Sequence, residues 1–311
     1  MISQYMKGRF LLMTDRNSYL VVTDACSDII PEYADKEGIL VIPMEVAMTD
    51  GTRFHATYDN SEFPLNDFYK KVESGVMANT SAVTPQNYLD FFAPLLKEGH
   101  DILYNCFTSG LSSTYNNALI AQQQLKEDFP DRKLIVVDSL GATAGMGYQT
   151  YYAAVNRDNG MSIEDNAKWL EDTKLRINYT WIVSDLMHLS RGGRLSAGAA
   201  LVGTALQLKP VGDIDNEGHL VALEKAHGRK ASIKRLAEWC NARLDTSVDK
   251  PVLVAHCDCP EDAETLKQKI LADGKAKEVI IGRTGPVVGA HLGPGGLTCY
   301  YFCDHRSVKE K

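Results

Sequence analysis

Short β-branched and apolar runs alternate along the chain with longer stretches in which apolar positions recur every three or four residues. The first pattern marks strands and the second amphipathic helices. In the first half it predicts strands at 19–23, 39–44, 102–106 and 133–137, with helices at 62–74, 86–97, 114–127 and 145–159. Thr84 followed by Pro85 reads as a helix start, the hydroxyl as N-cap and the proline at the first helical position. Ser162 and Asp165 mark another, with Asp165 at the third helical position. From about residue 177 the pattern changes. A strand at 179–183 leads into Ser190-Arg191-Gly192-Gly193-Arg194-Leu195-Ser196 and a helix of small residues at 197–206. Strands at 208–214 and 220–225 flank Asp215-Asn216-Glu217-Gly218, a hairpin turn, and helices at 231–244 and 261–272 alternate with strands at 252–256, 279–281 and 298–302. Such alternation predicts α/β layers, with mixed pairing in the second half. At 311 residues the natural division is an extension at 1–17 and two α/β domains, 18–175 and 176–311, with a ligand cleft between them.

Charge narrows the function classes. With 33 basic and 40 acidic residues the net charge is −7, against a broad nucleic-acid footprint. Apolar runs such as 38–44 fall far short of the ~20 residues a spanning helix needs, so no integral membrane segment is expected. The apolar run 10–13 meets Asp15 and Arg16 at once, too short and too charged for a signal peptide, and the expected location is cytoplasmic. Seven cysteines without a secretion signal fit reduced thiols. A metal site from His256, Cys257, Asp258, Cys259, Cys299, Cys303 and His305 competes with strand alternation. That alternation puts Cys257 and Cys259 on one strand face and Cys299 and Cys303 on another, without the usual zinc spacing, so no metal is expected.

Four loops follow predicted strands and carry surplus hydroxyls or glycines, where open α/β sheets bind ligands. They are Thr23-Asp24-Ala25-Cys26-Ser27-Asp28; Asn79-Thr80-Ser81-Ala82-Val83-Thr84; the stretch 108–114, with five hydroxyls in seven positions including Ser109 and Ser112 around Gly110; and Gly289-Ala290-His291-Leu292-Gly293-Pro294-Gly295-Gly296, read as a rigid turn with bare backbone around one histidine. Helix capping accounts for some of these hydroxyls, Thr84 in particular. Hydrolase, zinc-protease, phosphate-loop and dinucleotide signatures do not occur in the sequence. What remains is an anion clamp of hydroxyls, His291 and Arg194. Gly193 and Leu195 read as buried flanks, so Arg194 needs either an internal carboxylate or a ligand anion beside it.

Seven stretches, TDACSD, NTSAVTP, TSGLSSTY, VVDS (136–139), RGGRLS, QLKPV (207–211) and HLGPGG, occur in the order found in the DegV family, which the chain resembles from about Ser18 to its C-terminus. The resemblance implies two α/β domains holding one long-chain fatty acid in an apolar tunnel between them, its carboxylate meeting hydroxyls at the mouth. It implies a lipid-binding subunit without catalytic machinery or cofactor; a monomer or weak dimer is expected, the oligomeric state being left open by the sequence. Such a subunit presents the carboxylate to a separate fatty acid kinase catalytic subunit, which makes acyl phosphate for phospholipid synthesis. Matched by motif, Thr80 with Ser81 resembles the carboxylate-binding turn, Ser109 or Ser112 the partner serine, and His291 and Arg194 the family's histidine and arginine. Thr23, Asp24, Gly110, His227 and Gly293 belong to the same motifs or their surroundings. Three positions depart from the family pattern: Ala25 replaces a serine, Ser113 replaces a glycine, and His227 stands where an arginine is often found. The alternatives are a small-metabolite α/β enzyme working through His291, resembling the dihydroxyacetone-kinase substrate domain, and a regulatory protein with a vestigial cleft.

Overall fold

The computed structural model describes residues 19–195 and 208–306; the expected extension and the helix at 197–206 lie outside them. In chain order the first half contains β1 (Leu20–Asp24), α1 (Pro31–Glu37), β2 (Leu40–Ile42), β3 (Met44–Met48), β4 (Arg53–Ala56), α2 (Leu65–Glu73), β5 (Ala78–Thr80), α3 (Pro85–Lys97), β6 (Ile102–Cys106), α4 (Thr114–Asp128), β7 (Leu134–Asp138), α5 (Thr143–Asp158) and α6 (Ile163–Thr173). Then follow β8 (Ile177–Ile182), α7 (Met187–Arg191), β9 (Leu208–Ile214), β10 (Leu220–His227), α8 (Arg229–Arg243), β11 (Val252–His256), α9 (Pro260–Leu271), β12 (Val279–Arg283), α10 (Pro286–Leu292) and β13 (Leu297–Phe302).

Three sheets carry these strands: a parallel one of order β2-β1-β6-β7, a small antiparallel one of order β4-β3-β5, and a mixed one of order β10-β9-β8-β13-β11-β12. The expected α/β class with mixed pairing in the second half is the observed one. The predicted strand at 39–44 is two strands in two sheets. Pro43 lies between β2 and β3 and has no N–H to donate, so the chain changes sheet there. The small sheet formed by β3, β4 and β5 escaped the sequence reading, as did the short helices α1, α7 and α10. Thr84 caps α3 as expected, accepting from the Asn87 N–H while Asn87 Oδ1 receives the Thr84 N–H, and Ser162 caps α6 by accepting from Asp165 N–H.

The core has two outer layers and a shared middle. Ala153, Ala154, Ala167 and Leu170 of α5 and α6 cover one face of the parallel sheet. Leu236, Cys240, Leu266 and Ile270 of α8 and α9 cover one face of the mixed sheet. The remaining faces of these sheets share one apolar cluster, running from Tyr104 and Phe92 to Tyr179, Trp181 and Tyr300. Within this middle layer lies the apolar-lined cavity described below. The cysteines are free, and strand alternation divides them between layers: Cys257 joins the shared cluster while Cys299 and Cys303 face α8 and α9. The proposed thiol set therefore does not converge on one point.

Candidate functional site

The parallel sheet changes winding direction at β1, which has β2 on one side and β6 on the other. Loops leaving adjacent strands there diverge and open a crevice at their C-terminal ends. Cys26 after β1 and Phe107, Leu111 and Ser112 after β6 line a cavity of about 720 Å³, its open mouth included. The mixed sheet supplies the floor. Tyr179 and Trp181 of β8 pair with Tyr300 and Thr298 of β13, so their side chains share the cavity-facing side. Met44, Val287 and Val288 complete an apolar wall, with the Cys26 thiol 3.3 Å from the Met44 sulfur.

At the mouth four polar side chains from four segments converge: Thr80 ending β5, Ser112 before α4, Arg194 after α7 and His291 in the last turn of α10. Thr80 Oγ1 and His291 Nε2 share a hydrogen bond of 2.9 Å. Gly192 backs the other side of the imidazole, and a Cβ there would stand 2.5 Å from His291 Nδ1. Burial and the neighbouring Arg194 guanidinium pull the His291 pKa down to about 4, so the ring is neutral at pH 7. Arg194 donates through Nε to the Leu111 carbonyl at 3.3 Å and through Nη1 to the Gly192 carbonyl. Among the described residues no carboxylate pairs with it. Of the two readings left open for this guanidinium, an internal acid or a ligand anion, the described residues supply no acid. The mouth thus offers one fixed positive charge, two hydroxyls and a neutral imidazole, a donor-rich setting for an anion beside an apolar chamber.

Several expectations change with the geometry. Ser109 is exposed and outside the cavity, its N–H donating to Asp138 Oδ1, so of the two candidate serines only Ser112 reaches the site. Ser81 lines the rim from an exposed position. Gly193 is exposed, not buried as its context suggested; the buried flank is Leu195. His291 does not stand in a bare turn but on α10, which Gly289 lets approach α2 so closely that a Cβ would lie 2.5 Å from the Tyr69 hydroxyl. Gly293 ends that helix at φ +70°, packed on the His188 ring.

Other named residues serve the scaffold. Thr23 is buried in β1 and donates to the Asn105 carbonyl. Asp24 accepts from Cys26 N–H, Phe107 N–H and the Tyr104 hydroxyl, tying the loops after β1 and β6 together; burial still pushes its carboxyl above the usual range. Gly110 packs backbone to backbone against the β9–β10 turn, where a Cβ would meet the Gly218 carbonyl carbon at 2.6 Å. His227 is exposed at the end of β10, away from the cavity lining. The floor residues Tyr179, Trp181, Thr298 and Tyr300 and the wall residue Thr143 went unnamed in the sequence reading. Their only signal was strand alternation, which does not say which face meets a ligand.

Comparison with known proteins agrees with this architecture. The DegV family model, described as an uncharacterised protein family, matches residues 18–302. A DegV domain-containing protein of Clostridium perfringens is 35% identical over 286 residues, covering 92% of this chain and 98% of its own. Among solved structures, DegV of Bacillus subtilis, a fatty acid binding protein, is 29% identical with a TM-score of 0.78, covering 92% of this chain and 99% of its own. A Thermus thermophilus DegV family protein described for its fatty acid binding is 27% identical with a TM-score of 0.79, at the same coverages. Sequence, length and topology coincide along almost the whole chain, and the chain belongs to the DegV family.

Proposed function

We propose that this protein binds one long-chain fatty acid in the cavity between its parallel and mixed sheets. In this reading 18–175 and 176–311 are the two domains, and the carboxylate meets Arg194, Thr80, Ser112 and His291 at the mouth. The observation that carries the reading is the juxtaposition itself: an apolar chamber whose mouth holds a guanidinium to which no acid among the described residues is paired. The fatty acid binding of the Bacillus and Thermus relatives supports it. Burying sixteen carbons at ~0.8 kcal/mol per CH₂ offers on the order of 10 kcal/mol before entropy losses. The hydrogen bonds at the mouth then fix which end of the ligand faces outward.

A carboxylate held at an open mouth is placed for a second protein to reach, with the acyl chain in the apolar-lined chamber behind it. The protein therefore acts as a carrier, and phosphorylation of the carboxylate belongs to a separate kinase subunit, in the cytoplasm. Among the described residues no acid stands behind His291 to raise its basicity, and its lowered pKa suits a hydrogen-bonding role. The test is thermal. Delipidated protein should gain several degrees in melting temperature with palmitate or oleate, and Arg194→Ala should reduce that gain. No shift with any fatty acid would overturn the reading. Mixing the loaded protein with a fatty acid kinase catalytic subunit and ATP tests the partnership, with acyl phosphate as the readout.

A further inference from the structure

The chain passes from the parallel-sheet half to the mixed-sheet half through 174–176, the short turn between α6 and β8. Arg306, just past the end of β13, is packed onto that crossing. Its backbone N–H donates to the Leu175 carbonyl at 2.9 Å, its Nη2 to the Lys174 carbonyl at 2.7 Å and its Nε to the Ile177 carbonyl at 2.8 Å. The remaining nitrogen, Nη1, reaches away from the crossing in two directions. It donates to the Leu140 carbonyl at 2.7 Å, in the loop after β7, and to the Asp215 carbonyl at 3.1 Å, in the β9–β10 turn. The residue is 2% exposed. A guanidinium is costly to bury, and its fixed fork of N–H groups is what lets one side chain satisfy carbonyls from three separate segments.

Both outlying partners belong to walls of the chamber. Ala142 and Thr143, just after Leu140, line it, and so does Ile214, next to Asp215. The guanidinium also lies over the Tyr179 ring, 4.5 Å from its centroid; Tyr179 is part of the chamber floor, and Arg306 is not among the lining residues. At the other end of the β9–β10 turn, Thr108 donates to the Gly218 carbonyl at 3.2 Å. Arg306 and Thr108 thus hold this turn of the mixed sheet against two loops of the parallel sheet. The two sheets cannot part along this edge without giving up the Nη1 bonds.

We propose that Arg306 is a positioning residue that sets how long the ligand stays: it bolts the crossing between the sheets, and the acyl chain leaves when its bonds to Leu140 and Asp215 loosen. This rests on the fatty-acid reading and adds a control on release to the same site. The clamp at the mouth holds the carboxylate, whereas Arg306 acts on the walls around the chain, through Tyr179, Leu140 and Asp215. Its effect is therefore independent of the head group.

The experiment follows the release of cis-parinarate, a fluorescent fatty acid, and of the corresponding alcohol from loaded protein mixed with excess oleate. Arg306→Lys keeps the charge without the fork, and Arg306→Gln removes both. Each should release acid and alcohol alike about ten-fold faster, the worth of one or two lost hydrogen bonds. Arg194→Ala should speed release of the acid alone. Leu266→Ala, in the α8–α9 layer, is the control: it should lower the melting temperature and leave release unchanged. Unchanged release from folded Arg306 variants, acceleration confined to the acid, or equal acceleration by Leu266→Ala would overturn the inference while fatty acid binding stands. In the unaltered protein, bound ligand should slow hydrogen exchange at 139–143 and 174–177. Equal exchange there in loaded and empty protein sinks the inference even where neither variant folds. If the unaltered protein takes up neither probe nor oleate, both readings fall.

Discussion

At the scale of single residues, His291 shows how environment sets chemistry. Its pKa is about 4 when folded and near 6.5 when unfolded, so between these values the unfolded chain binds the extra proton. Stability should therefore rise with pH from 4 to 6.5 and level off above. Lost below the folded pKa is a contribution of order 3 kcal/mol at most. Chemical denaturation of ligand-free protein at pH 5 and pH 7.5 checks this, and His291→Gln should flatten that part of the profile. In the proposed reading Arg194 meets the ligand carboxylate. Replacing it with alanine should weaken fatty acid binding by roughly 10- to 100-fold, the range for one hydrogen bond to a charged group, with little effect on melting. Asp24, named as a site candidate, belongs to the scaffold. Asp24→Ala would strand the Phe107 and Cys26 N–H groups, while the Tyr104 hydroxyl keeps only the Tyr88 hydroxyl, and should cost about 2–4 kcal/mol in denaturant titration.

At the scale of elements, the sequence told most where side-chain period and caps agreed. The helices α3 and α6 were readable from Thr84-Pro85 and Ser162, and the β9–β10 hairpin from its Asp-Asn-Glu-Gly turn, which Gly218 closes at φ +84°. Short elements were lost because a three- or four-residue strand such as β5 or β4 carries too little alternation to stand out. The residues proposed for the clamp could be singled out because each lies in a polar or glycine-rich stretch of the sequence against apolar neighbours. The chamber floor was not, because Tyr179 and Tyr300 read as ordinary core aromatics until the pairing of β8 with β13 puts them side by side. Gly110 illustrates a different limit. It reads as part of a ligand loop, yet its role is to let that loop touch the β9–β10 turn. A Cβ at Gly218 would meet Thr108 Oγ1 at 1.9 Å, whereas one at Gly193, φ +72°, meets open space. Gly218→Ala should therefore lower the melting temperature markedly, and Gly193→Ala should cost no more than about 1 kcal/mol.

At the scale of the whole molecule, cavity and clamp arise from one topological fact. The parallel sheet opens at β1, and the mixed sheet closes the opening from the far side with its β8–β13 face. Neither sheet alone forms a chamber, so ligand binding should stiffen the contact between them, including the Gly110–Gly218 approach and the Thr108 hydrogen bond to the Gly218 carbonyl. Hydrogen exchange should accordingly slow at 107–112 and 214–220 when a fatty acid is bound. The central claim, a fatty acid carrier, is tested most directly by native mass spectrometry of freshly purified protein followed by extraction and analysis of its fatty acids. The account predicts one fatty acid per chain. Protein that is lipid-free and remains empty when offered a panel of fatty acids would contradict it.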